Sequence, residues 1–200
     1  MKQALAHLRN ADPVLAGIIE RAGPYRIEYR EPEFSTLARA IIFQQLNGKA
    51  AASIFRRVVE ALRDGRVTPQ AMLRAPTRKL RAAGLSARKV EYLRGLAKKT
   101  ASRVIRFNRL GQMSDEEVIA TLTQVKGIGV WSSHMFLIFA LRRPNVLAVG
   151  DYGVRAAAKK AYGLADLPSA SELERIAQPW HPYCSVACWY LWRSLEFGRK

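Results

Sequence analysis

Residues 122–139 read LTQVKGIGVWSSHMFLIF, and this stretch decides the fold. An apolar helix end carrying Leu122 and Val125 runs into Lys126-Gly127-Ile128-Gly129. A second apolar run starts straight after it, at Val130. Glycines at both places allow positive φ and close approach of a ligand to the backbone. The free N–H groups at the start of the second helix carry the positive end of its dipole. That makes a phosphate site which needs no particular side chain. Lys126 and the hydroxyls of Ser132 and Ser133 are placed to add to it. Gly-x-Gly between helices is a common turn, so the segment needs company before it carries a function.

Outward from this hairpin the pattern is helical nearly throughout. Asp12-Pro13 reads as an N-cap followed by proline at the first helical position. Leu37, Ile41, Ile42 and Leu46 have helical spacing, and a turn at Asn47-Gly48 separates them from a helix over 51–62. Thr68-Pro69 and Thr77 read as further helix starts, and Gly84 ends the second of these helices. Ser86 caps a longer helix reaching about Phe107. Ser114 with Glu117, and Ser171 with Glu174, both fit a capping box. Residues 146–149 are the only extended candidate. The pattern predicts an all-α chain: one compact helical bundle of two lobes over 1–200, with the hairpin at about 118–141 beside a cleft between the lobes.

Composition narrows the partner. The chain has 200 residues, with 33 Lys+Arg against 16 Asp+Glu, a net charge of +17. Nearly half the residues are apolar, enough for a proper core, which excludes a disordered basic tail. A charge excess of this size points to a polyanion, and nucleic acid is the common intracellular one. Positive charge concentrates in 78–109, with eleven Lys/Arg and one acid, and in 142–160, with five and one acid. Such runs also serve as solvated helix faces. No apolar run is long enough to span a bilayer, and the first residues do not read as a secretory signal, so an intracellular protein is expected. Cys184 and Cys188 are too few for a disulfide framework or a four-cysteine metal or iron–sulfur site. They read as buried small side chains.

The one acid in the second basic run is Asp151, in LAVGDYGVR at 147–155, where a helix should begin. An N-cap aspartate would explain the residue, but not its conjunction with the hairpin. Four ordered segments now make a pattern: AIIFQQLNGKAA at 40–51, the hairpin with residues up to 141, RPNVLAVGDYGVR at 143–155, and PWHPYCSVACWYLW at 179–192. Together they resemble the helix-hairpin-helix superfamily of DNA glycosylases, most closely its 3-methyladenine DNA glycosylase II branch, over 37–192.

The resemblance implies removal of alkylated purines from double-stranded DNA by a monomeric enzyme. The aspartate of the Val-Gly-Asp segment is catalytic in that family, which points to Asp151. A carboxylate there would stabilise an oxocarbenium-like sugar or orient the attacking water. A leaving base made cationic by alkylation needs no second acid. Relatives with lyase activity carry a nucleophilic lysine at the position of Trp131, and an indole cannot form a Schiff base, so a monofunctional hydrolase is implied. The flipped base needs aromatic walls. Trp131 and Trp180 match pocket tryptophans of the family, Met135 and Phe43 would bound the pocket, and Tyr152 is a further candidate. Trp189 and Trp192 read as core. The wedge that fills the gap left by the base would be Gln45 or Leu46, and Lys49 would contact phosphate. The family's hairpin often binds a monovalent cation through main-chain carbonyls, by position those of Thr123, Val125 and Ile128. No other cofactor is implied. Two further readings stay open: a non-enzymatic hairpin module that binds DNA structure, and a glycosylase for oxidised or mismatched bases.

Overall fold

A computed structural model describes residues 1–198. Among them are thirteen α-helices and no strand. In chain order these are α1 (Lys2–Ala11), α2 (Pro13–Ala22), α3 (Phe34–Phe43), α4 (Gly48–Ala61), α5 (Pro69–Arg74), α6 (Thr77–Ala82), α7 (Ala87–Ala101), α8 (Phe107–Leu110), α9 (Asp115–Leu122), α10 (Val130–Phe139), α11 (Tyr152–Ala161), α12 (Ala170–Ala177) and α13 (Cys184–Ser194). No helix among the described residues is long and apolar enough to cross a membrane. The extended candidate at 146–149 is loop.

The chain forms two compact units. One is Met1–Tyr29 with the residues from Leu137 onward, and the other is Arg30–Phe136. The division falls inside α10. The first unit is organised on α13, which packs against α2 and α11. Its residues from Cys184 to Leu191 are all buried. A helix that is apolar on every side shows no amphipathic period, because it has no solvent face to mark. Asp12 ties this unit's ends together. Its Oδ1 caps α2 by accepting from Val14 and Leu15 N–H, at 2.9 and 3.0 Å. Its Oδ2 accepts from Tyr162 Oη and, at 2.8 Å, from Trp180 Nε1. Burial beside this carboxylate pushes the Tyr162 phenol well above its usual range.

The second unit is organised on α7, which packs against α3, α5 and α6. Here the apolar stripe is one-sided, with Val90, Leu93, Leu96 and Ala97 buried. The helix stops at Ala101 and not near Phe107, because Arg103 takes a left-handed φ of 62° and turns the chain. Two other boundaries differ from the sequence reading. Asn47 is the N-cap of α4, accepting from Ala50 N–H at 2.8 Å, and the turn lies before it at 43–46. The second capping box joins Ser169 and Glu172, not Ser171 and Glu174. The two Ser-x-x-Glu frames overlap, and the helix takes the earlier one directly after Pro168.

Candidate functional site

Three local structures carry chemistry. The first is the start of α11. Asp151 is the N-cap, with its Oδ1 accepting from Val154 N–H at 2.8 Å. The same oxygen accepts from Trp192 Nε1 at 2.8 Å. Two donors on one oxygen fix the direction of the carboxylate, and the residue is only 8% exposed. Trp192 is itself held, with its indole stacked on Phe139 at 5.7 Å between ring centroids. Gly153 is the third part of this arrangement. A Cβ there would sit 3.1 Å from Asp151 Oδ1 and 3.1 Å from Trp192 Cδ1. Only glycine leaves the carboxylate–indole pair undisturbed at ordinary contact distances.

Trp192 therefore corrects the sequence reading, which assigned it to the core. It is half-buried and bonded to the candidate catalytic acid. Trp180 corrects it the other way. It is wholly buried, with its N–H held by Asp12, so it is a core residue and offers no wall to a base. Trp189 is core as expected, packed edge-on against Tyr25 and Tyr190. Tyr152 follows Asp151 and is 72% exposed.

The second structure is the hairpin between α9 and α10. Gly127 has φ 88°, and an added Cβ would lie 2.1 Å from the Tyr92 ring, so both conformation and space require glycine. Gly129 has neither constraint: nothing lies within 4 Å of an added Cβ. Its freedom faces outward, where a ligand would approach. Lys126 is exposed and pairs with Glu91 at 3.0 Å, and that hydrogen bond raises its pKa. Both serines expected beside a phosphate are buried. Ser133 is fully buried and its Oγ donates back to the Gly129 carbonyl at 3.1 Å, while Ser132 is also buried. A serine four residues into a helix commonly makes that local bond. Trp131 is 46% exposed, and Met135, one turn on, is half-buried. The two share a face of α10. At the hairpin's base Thr123 Oγ1 donates to Ile119 O, and Val125 O accepts from Ile128 N–H at 2.9 Å.

The third structure is the turn at 43–46. Gln45 and Leu46 are exposed, and Gln45 adopts φ 56°, a left-handed conformation costing about 1 kcal/mol or more for a residue with a Cβ. Gln44 Nε2 donates to the Gly127 carbonyl at 2.7 Å, joining turn and hairpin. Lys89 Nζ donates to the Ile42 and Gln44 carbonyls, each at 2.7 Å, and burial lowers its pKa. Phe43 lies with the Arg39 guanidinium 3.9 Å over its ring and with Phe55 edge-on. Lys49 is exposed in the first turn of α4.

Other nucleophiles are weak. Cys184 and Cys188 are free and buried, and burial pushes both thiols up to about 12. They hold no thiolate near neutral pH. No group of three His, Cys, Asp or Glu among the described residues is arranged to hold a metal ion.

A family signature described as the HhH-GPD superfamily of base excision DNA repair proteins matches residues 38–182. The chain is 33% identical over 204 residues to DNA-3-methyladenine glycosylase 1 of Schizosaccharomyces pombe, covering 99% of this chain and 89% of that protein. The solved structure of the S. pombe 3-methyladenine DNA glycosylase in complex with abasic DNA superposes with a TM-score of 0.87 at 32% identity, over 99% of this chain and 98% of that one. A DNA-3-methyladenine glycosidase from Bacillus halodurans superposes with a TM-score of 0.84 at 36% identity, over 93% and 85%.

Proposed function

The chain belongs to the HhH-GPD superfamily of base excision DNA repair proteins, and from that premise we propose that it is a monofunctional DNA glycosylase for alkylated purines. It binds double-stranded DNA, extrudes the damaged nucleotide and hydrolyses its N-glycosidic bond, leaving an abasic site. The observation that carries the reading is the carboxylate of Asp151 at the N-cap of α11, aimed by the indole N–H of Trp192.

In this reading Asp151 faces the sugar as positive charge develops at C1′, and stabilises it or orients the attacking water. Pre-set direction matters, since a carboxylate already held by two donors needs little reorganisation during the reaction. An alkylated purine leaves as a neutral base, so no general acid is required. Trp192, on the unit that carries Asp151, supplies an electron-rich ring for a cationic base. An indole stands at position 131 and the Lys126 ammonium is paired with the Glu91 carboxylate, so neither position supplies a free amine for Schiff-base chemistry. Gly129 and the first turn of α10 take a DNA phosphate through main-chain N–H groups, with Lys126 adding charge. Lys49 contacts a neighbouring phosphate. The site of action is inside the cell, where DNA is.

A monovalent cation at the hairpin fits the donor chemistry. The carbonyls of Thr123, Val125 and Ile128 are neutral oxygens suited to a hard ion, and Val125 O keeps one lone pair beyond its bond from Ile128 N–H. A bound cation would add positive charge beside the phosphate. Replacing K⁺ by tetramethylammonium at constant ionic strength should then weaken DNA binding.

The decisive test is release of methylated purines from treated duplex DNA, identified by mass spectrometry, for wild type and Asp151→Asn. Equal release by both would remove Asp151 from the chemistry. DNA binding without release across a lesion panel would favour a non-enzymatic module.

A further inference from the structure

In the turn between α3 and α4, Gln44 sits at φ −55°, ψ 134°, and Gln45 at φ 56°. Leu46 N–H reaches the Phe43 carbonyl at 3.4 Å. These are the marks of a type II turn, with Gln45 in the position that ordinarily takes glycine or asparagine. Types I and II differ chiefly in the orientation of the central peptide, here Gln44–Gln45. Type I would give Gln45 the negative φ that a glutamine prefers. The central peptide must therefore be held.

The oxygen of that peptide is the Gln44 carbonyl, and Lys89 Nζ donates to it at 2.7 Å. The same ammonium donates to Ile42 O in the last turn of α3, also at 2.7 Å. Lys89 comes from α7, which packs against α3, so the grip has a rigid base. The Gln44 side chain is anchored separately on Gly127 O. Two of the three ammonium donors are thus spent on main-chain oxygens of its own protein.

We propose that Lys89 is a positioning residue. By holding the Gln44 carbonyl it keeps the turn in its type II form, and so presents Gln45, not Leu46, as the side chain that fills the gap left by the extruded nucleotide. This rests on the base-excision reading above. Without Lys89 the peptide flips, and Gln45 leaves its left-handed conformation and its direction.

The test is single-turnover release of 7-methylguanine from a duplex oligonucleotide by wild type, Lys89→Met, Lys89→Arg, Gln45→Ala, Leu46→Ala and the double variant Lys89→Met/Gln45→Ala. Lys89→Met should be about 10- to 100-fold slower, the scale of a small misplacement. Its slope of log affinity against log salt should be unchanged, because no phosphate contact is lost. Lys89→Arg should recover most of the rate, since a guanidinium also donates to two carbonyls. The double variant should be no slower than Gln45→Ala alone. Losses that multiply in the double variant, full activity in Lys89→Met, or a loss confined to Leu46→Ala would overturn the proposal. If Lys89→Met fails to fold, Lys89→Gln, which keeps one donor group, takes its place in the same cycle. Absence of release by wild type would instead overturn the glycosylase reading, and this proposal with it.

Discussion

Two helix starts in this molecule are put to opposite uses. At α11 the N-cap is Asp151, whose carboxylate takes the Val154 N–H at 2.8 Å, so the positive helix end is met from within the chain. At α10 the preceding residue is Gly129, which has no side chain to offer, and a Cβ there would touch nothing within 4 Å. A capped helix end holds a charge in a fixed place. A bare one is left for a charge that arrives from outside. On the proposed function, the same backbone dipole would serve catalysis in one unit and nucleic-acid binding in the other. One residue, the N-cap, makes the choice.

The sharpest way to break this contrast is Asp151→Asn. The amide oxygen can still accept from Val154 N–H and Trp192 Nε1, so the cap and fold should persist. The charge is gone, and single-turnover base release should fall about 10³-fold, roughly 4 kcal/mol of transition-state stabilisation. A melting temperature close to wild type would show that structure and chemistry have been separated. Asp151→Ala would confound them, because loss of the cap alone costs about 1 kcal/mol.

Next in size is the pair of hairpin glycines. Gly127→Ala should cost about 3 kcal/mol, from the left-handed φ and the collision with Tyr92. Thermal unfolding should show it as a drop of about 10 °C. Gly129→Ala should leave the melting temperature nearly unchanged and weaken duplex binding about tenfold, as a methyl group intrudes on the phosphate. A stability loss at Gly129 equal to that at Gly127 would erase the distinction.

At the α11 start, Gly153→Ala presses a methyl on the Asp151–Trp192 pair. Base release should slow about tenfold at nearly unchanged DNA affinity, since only the direction of the carboxylate is disturbed. The smallest effect belongs to Lys126→Ala. Its partner Glu91 competes for the charge, so affinity should fall only slightly and the salt slope by about one.

What sequence could see followed from what is local. The Asp12 and Ser86 caps, the Ser114–Glu117 box and the two-glycine hairpin each depend on neighbours within a few residues, and the structure has them all. Asp151 was legible because it is polar where its surroundings are apolar or basic. Trp180 and Trp192 were not, because their roles depend on partners far along the chain. Trp180 is made core by Asp12, 168 residues away, and Trp192 is brought to the site by Asp151, 41 residues away. On α13 no amphipathic period distinguishes the residue that reaches the site from those that fill the core. Lys89 stayed hidden among eleven basic residues for the same reason: its carbonyl partners lie 45 and 47 positions earlier.

The composition of the first unit has a consequence for how the protein is made. Its α1 and α2 are synthesised early, yet α2 packs on α13, and the Gly23 carbonyl takes its bond from Tyr190 across 167 residues. The intervening unit, Arg30–Phe136, is contiguous and has α3 to α9 complete as soon as it leaves the ribosome. The early helices must wait for α13, a loop closure of high contact order. The indole that aims Asp151 arrives on that same helix. A nascent chain therefore completes its contiguous unit before the unit that carries Asp151, and any chain stalled short of α13 is left with that carboxylate unaimed.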